Sequence, residues 1–249
     1  MVAAAAQAGI GQFTFAEHVF HLTDAIATST YLRGCAERWS EGPGITTPAY
    51  LEAARKAGER YPEVAVMVGV EFDFVPEEPE LAEHTRVQTQ AHPWDVVLGS
   101  VHVLQGDRSI FESTDELSPA DAWADYHARL VALVESGLFD VVTHPLRLIA
   151  SKLEPPGDLE ERLDELAGAA ASAGVAIEIN GSDLRIARPL VEQLVVAVAR
   201  RNAPVSLGSD AHRPRTVGSV LPAIDLLRAA GVREAVGFVG RMARAEPLA

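Results

Sequence analysis

Short apolar runs alternate along this chain with longer stretches whose apolar positions recur every three or four residues, the mark of strands interleaved with amphipathic helices. The run VAAAAQA predicts the end of a helix stopped by Gly9, and QFTFAEH predicts a strand. In TPAYLEAARKAGERY, Thr47 reads as N-cap and Pro48 as the first helical residue. EVAVMVGVEFDFV then predicts a strand that stops being apolar at Glu71, and WDVVLGSVH a strand ending at His102. SPADAWADYHARLVALVESG predicts a helix opened by Ser118 and Pro119 and stopped at Gly137. A strand, FDVVTHP, ends at His144; a helix, DLEERLDELAGAAASAG, precedes the strand VAIEIN. The helix RPLVEQLVVAVARRN, the strand PVSLGSDAH and the helix VLPAIDLLRAAGV complete the pattern.

At least six strands alternate with helices in this way, and their near-continuous apolar character suits parallel strands buried on both faces. The expectation is α/β architecture with βαβ units in a single domain over residues 1–249. The stretches 21–46 and 104–117 are irregular and read as loops. Cys35, the only cysteine, falls in the first of them, so no internal disulfide forms and a reducing cytoplasm is the expected compartment. The formal net charge of −14 argues against sequence-independent binding to nucleic acid or to an anionic membrane. No run of apolar residues is long enough to span a bilayer, and the start lacks the basic and apolar regions of a signal peptide.

The informative feature is where the polar residues fall. His18, Glu71, His102, His144, Glu178, and Asp210 with His212 each stand at or just beyond the C-terminal end of a predicted strand. In a βα barrel those ends converge on one face, where active sites are built. A mixed imidazole and carboxylate set of this size exceeds what one tetrahedral ion needs and points to two or more Zn, Mn or Fe ions. His84, His92 and His127 read as structural or surface residues; His21 stands three positions past His18 and is left open.

In order and spacing, FAEH, GVEFDF, DVVLGSVH, DVVTHP, EING and GSDAH resemble the PHP (polymerase and histidinol phosphatase) superfamily. VPEEPELAEH, SGLFDVVTHP and NGSDLR bring the resemblance closest to its histidinol-phosphate phosphatases. The resemblance implies a distorted (β/α)7 barrel holding two or three divalent ions, with L-histidinol phosphate as substrate in histidine biosynthesis. It implies Glu71 as bridging carboxylate, His102 and His144 completing one ion, Asp210 on a second, and His18 with His212 on a third. Glu178 has no ligand role in that pattern. The family pattern opens on a strand bearing His-x-His that is not found here, so the expectation is a barrel short of its first strand, from a start that falls late. Leu146 also departs, where relatives often place Asp after His-Pro.

Such a site neutralises the phosphoryl oxygens and activates water for in-line attack, with Asp210 and His212 helping to protonate the leaving alkoxide. Arg185, Arg147 and Arg213 are the candidate cations for the substrate phosphate. A phosphoesterase acting on another small monoester, and an impaired metal-binding homologue, are the alternatives.

Overall fold

The computed structural model describes residues 1–39, 42–111 and 117–248. Helix α1 (Val2–Gln7) leads into strand β1 (Gln12–His18). Two helices then occupy the stretch expected to be loop, α2 (Thr23–Ala27) and α3 (Thr30–Trp39). Their signal is faint because α3 buries only Leu32 and Cys35, one turn apart, between polar residues and Gly34. Helix α4 (Thr47–Gly58) starts one residue earlier than read, with Thr46 as N-cap accepting from the Ala49 amide, and strand β2 (Ala65–Asp73) follows.

Helix α5 (Pro79–Ala91) lies in an acidic segment where the hydrophobic pattern predicts no helix. Its buried stripe is Leu81, Thr85 and Thr89, so hydroxyls stand where an apolar period would have announced a helix. His84, on this helix, contacts the Ala25 carbonyl (3.0 Å). Strand β3 (Val96–Ser100) is followed by a small antiparallel pair, β4 (Val103–Leu104) and β5 (Arg108–Ser109), within the second expected loop; residues 112–116 of that loop lie outside the described residues. Helix α6 (Pro119–Glu135) is capped by Ser118 and opens at Pro119 as expected, and β6 (Val141–Val142) and α7 (Leu159–Ala173) follow. Gly174 closes α7 in the left-handed conformation at φ 70°.

Strand β7 (Ala176–Asn180) runs straight into α8 (Gly181–Arg201). The sequence places that helix start at Arg188 because Pro189 resembles an opening residue. Pro189 instead marks a kink, with Ala187 at φ −146° and ψ 64°, and the missed first segment carries Asp183 and Arg185. Strand β8 (Val205–Gly208), α9 (Ala223–Ala229) and an antiparallel hairpin of β9 (Glu234–Val239) and β10 (Met242–Pro247) complete the chain. The hairpin escapes a period-2 reading because every residue of β10 is exposed.

Six of the strands pair in parallel in the order β1-β2-β3-β6-β7-β8, the number expected of a seven-stranded barrel short of its first strand. They form a curled, open sheet, with β1 and β8 at its edges among the described residues. Val68, Val70, Phe72, Val97, Val142, Ile177 and Ile179 give these strands a fully buried centre, which is why they read as continuous apolar runs. At the N-terminal ends of the strands, the Asp95 carboxylate accepts from the Val68 amide (2.9 Å) and the Gly240 amide (3.0 Å). Asp140 likewise accepts from Val97 N (2.8 Å) and pairs with Arg241 (2.9 Å), so two aspartates tie the hairpin across that end. No helix among the described residues is long and apolar enough to cross a membrane.

Candidate metal centre

Parallel register sets the site. His18, the last residue of β1, pairs with Glu71 of β2; Asp73 pairs with Ser100 of β3, two residues before His102. Gly99 pairs with Val142, two residues before His144; Asn180 pairs with Gly208, two residues before Asp210. Successive strand ends therefore deliver the polar residues to one end of the sheet.

Glu71, His102 and His144 are all buried and offer ligand atoms within 4.8 Å of one another. Glu71 is used on both sides. Its Oε1 faces His144 Nε2 at 3.2 Å and His102 Nε2 at 3.9 Å, and its Oε2 faces His18 Nδ1 at 3.8 Å. The His102 ring lies 4.9 Å from that of His144 and 5.7 Å from that of His18, centroid to centroid. His18 is braced from behind by stacking on Phe20 (4.8 Å).

Burial pushes the Glu71 carboxyl up, but His18, His144 and His102 outweigh it and hold the group well below the usual carboxylate range. For His102, burial disfavours the imidazolium, yet Asp73 and then Glu71 raise it overall. Asp73 Oδ1 meets His102 Nδ1 at 2.6 Å and also accepts from Ser100 Oγ (3.1 Å). This leaves Nε2 of His102 turned toward Glu71, the carboxylate–imidazole arrangement that orients metal ligands.

Glu178, which sequence position alone marks as a possible ligand, seats His144 instead. Its Oε2 accepts from the His144 amide (2.8 Å), Thr143 Oγ1 (2.7 Å) and Asn180 Nδ2 (2.9 Å). Burial is the main reason its carboxyl lies above the normal range. Gly208 is required beside it, because a Cβ there would stand 1.6 Å from Glu178 Oε1. The backbone at His144 is bent to φ 33°, and Tyr126 Oη donates to its carbonyl (3.2 Å).

Beyond this cluster, Asp210 is anchored by Arg147 Nη1 (2.7 Å) at φ 49°. Burial raises the Asp210 carboxyl, but Arg147 and His144 together bring it below the normal range. His212 is not gathered in with His18: its side chain is 74 % exposed and, among the described residues, its ring meets only Asp210 (Nδ1 to the carbonyl, 3.2 Å). Arg185 is exposed beside Ser182 (3.4 Å), and Arg213 is exposed. Arg147, expected as an open cation for substrate, is instead buried and held by Asp183 (2.9 Å), Asp210 (2.7 Å) and Asn180 (3.1 Å). His21, left open by the sequence, pairs with Glu17 (2.7 Å).

Sequence reasoning missed Asp73 and Asp183. Asp73 was visible in principle, since Glu71 and Asp73 are two apart on a strand and share a face. Asp183 was hidden by the misplaced start of α8. The donor set fits divalent metal: two imidazole nitrogens and a two-sided carboxylate converge in a buried place, and the buried Nδ1 of His144 has no hydrogen-bond partner among the described residues.

The PHP domain family model matches residues 1–182. A protein named "Probable histidinol-phosphatase" from Deinococcus radiodurans is 31% identical over 197 residues, covering 73% of this chain and 72% of that protein. A "Probable phosphatase" from Shewanella sp. strain ANA-3 is 26% identical over 170 residues, covering 67% of this chain and 58% of that protein. Among solved structures, histidinol phosphate phosphatase from Lactococcus lactis, crystallised with zinc, L-histidinol and phosphate, superposes with a TM-score of 0.76 at 21% identity. That match covers 98% of this chain and 90% of the other. A strand-end cluster of histidine and carboxylate, a curled parallel sheet and a family match over most of its length agree: this chain belongs to the PHP domain family.

Proposed function

We propose that the chain is a metal-dependent phosphomonoesterase that hydrolyses L-histidinol phosphate to L-histidinol and phosphate, in histidine biosynthesis and in the cytoplasm, as a single domain over residues 1–249. The observation that carries this is Glu71, whose two oxygens face His102 with His144 on one side and His18 on the other. That is the geometry for a carboxylate shared between ions. The relative from Deinococcus radiodurans and the Lactococcus fold, crystallised with zinc, histidinol and phosphate, support the substrate.

In this reading the site takes two or three divalent ions, of zinc, manganese or iron. Glu71, His102 and His144 would hold one, Asp210 would reach a second, and His18 on the other side of Glu71 would serve a third, without His212, whose exposed ring stands apart from it. Bound divalent ions supply charge neutralisation of the phosphoryl oxygens and acidify the attacking water. The protein's part is orientation. Asp73 fixes the tautomer of His102, and Glu178 fixes the backbone that presents His144. In this reading His212, open to solvent and 3.7 Å from Asp210 Oδ1, would pass the proton to the leaving alkoxide, with the ionised Asp210 orienting its ring. Arg185 and Arg213, both exposed, remain the candidate cations for the substrate phosphate.

The test is phosphate release from a panel of monoesters: histidinol phosphate, a nucleoside monophosphate and a sugar phosphate. Preference for histidinol phosphate is expected. Preference for either of the others would leave the chemistry standing and overturn the substrate.

A further inference from the structure

Arg147 follows His144 by three residues, on the short 3-10 turn Arg147–Ser151. Its planar guanidinium meets three acceptors from other strand ends: Asn180 at the end of β7, Asp183 in the first turn of α8, and Asp210 beyond β8. Nε, Nη1 and Nη2 are each committed to a different partner, at 2.9, 2.7 and 3.1 Å. We infer that Arg147 is a positioning residue that aims Asp210 into the metal centre, and not a cation that binds the substrate phosphate.

Charge decides between the two roles. One guanidinium stands against two carboxylates, Asp183 and Asp210, so the group as a whole is negative. With no ion bound, a phosphate dianion arriving there would meet net repulsion, whereas a divalent cation would be attracted. The contact takes Oδ2 of Asp210 and leaves Oδ1 for another partner. The Asp210 backbone is held at φ 49°, in the left-handed region that Asp tolerates better than most residues with a Cβ, and the Arg147 contact holds its side chain there. Asn180 couples the brace to the rest of the site. Its Oδ1 accepts from Arg147 and from the Ser182 amide (2.8 Å), and its Nδ2 donates to the Glu178 carboxylate that seats His144.

The inference rests on the reading of the site as a phosphatase centre, so the test has an arm that does not use turnover. Full-length wild type, Arg147→Met and Arg147→Lys are stripped with chelator and titrated with zinc; reloaded, they are assayed for kcat and KM on histidinol phosphate and for inhibition by inorganic phosphate. Arg147→Lys keeps the buried charge and carries the same readouts if Arg147→Met does not fold. Zinc affinity and kcat are expected to fall about 10–100-fold, with KM and the phosphate inhibition constant unchanged. A rise in KM and in the inhibition constant with unchanged zinc affinity would make Arg147 a phosphate ligand and overturn the inference. No change in any readout would also overturn it. If the wild type hydrolyses no monoester, the proposed function fails, while the zinc titration still decides the role of Arg147.

Discussion

At the scale of single residues, the centre depends on the charges and hydrogen bonds around its metal-facing side chains. Glu71 stays ionised in a buried place because three imidazoles surround it. His102 presents Nε2 because Asp73 occupies its Nδ1. Replacing Asp73 by Asn keeps the shape and the contact with Ser100 but removes the charge that fixes the imidazole. Asp73→Asn is therefore expected to weaken zinc binding about 10–100-fold without unfolding the protein. Calorimetric titration alongside a thermal melt checks both halves. The residues gathered at the strand ends were legible in the sequence because each interrupts an apolar strand with a costly polar group. Their partners were less so: Arg147 reads as an open cation until Asp183 and Asp210 are seen to enclose it.

At the scale of elements, parallel strands were legible because both faces are buried, and α6 and α7 because their apolar stripes are regular. Helices α2, α3 and α5 were not, because their burial rests on few residues or on threonines. They are held by polar ties that no hydropathy period records. Asp24 on α2 accepts from both the amide (2.8 Å) and the hydroxyl (2.9 Å) of Thr47 on α4. Burial raises the Asp24 carboxyl, but these Thr47 hydrogen bonds outweigh it and the group ends below its ordinary value. The tie therefore contributes stability above the unfolded-state pKa of about 3.9 and loses it as pH falls through the lower folded value. Asp24→Asn should be less stable than the wild type at pH 7. The gap should narrow toward zero below that window, as read from denaturant midpoints across pH.

At the scale of the whole molecule, the two ends of the sheet do different work. The C-terminal ends carry the polar cluster; the N-terminal ends are closed by the β9–β10 hairpin, where Phe238 packs on Val96, Val141 and Ala176. Phe238→Ala should cost about 3 kcal/mol in urea unfolding and leave zinc affinity unchanged, because the cavity opens at the end away from the cluster. Loss of zinc binding along with stability would mean that the two ends are coupled.

Metal dependence of phosphate release joins all three scales. The most direct measurement is turnover of histidinol phosphate by protein stripped with chelator and then titrated with zinc. The expected result is no release from the stripped protein and activity that rises with zinc to saturation. Full turnover without metal, or none at any zinc concentration, would contradict the assignment of Glu71, His102 and His144 as the metal centre of a phosphatase.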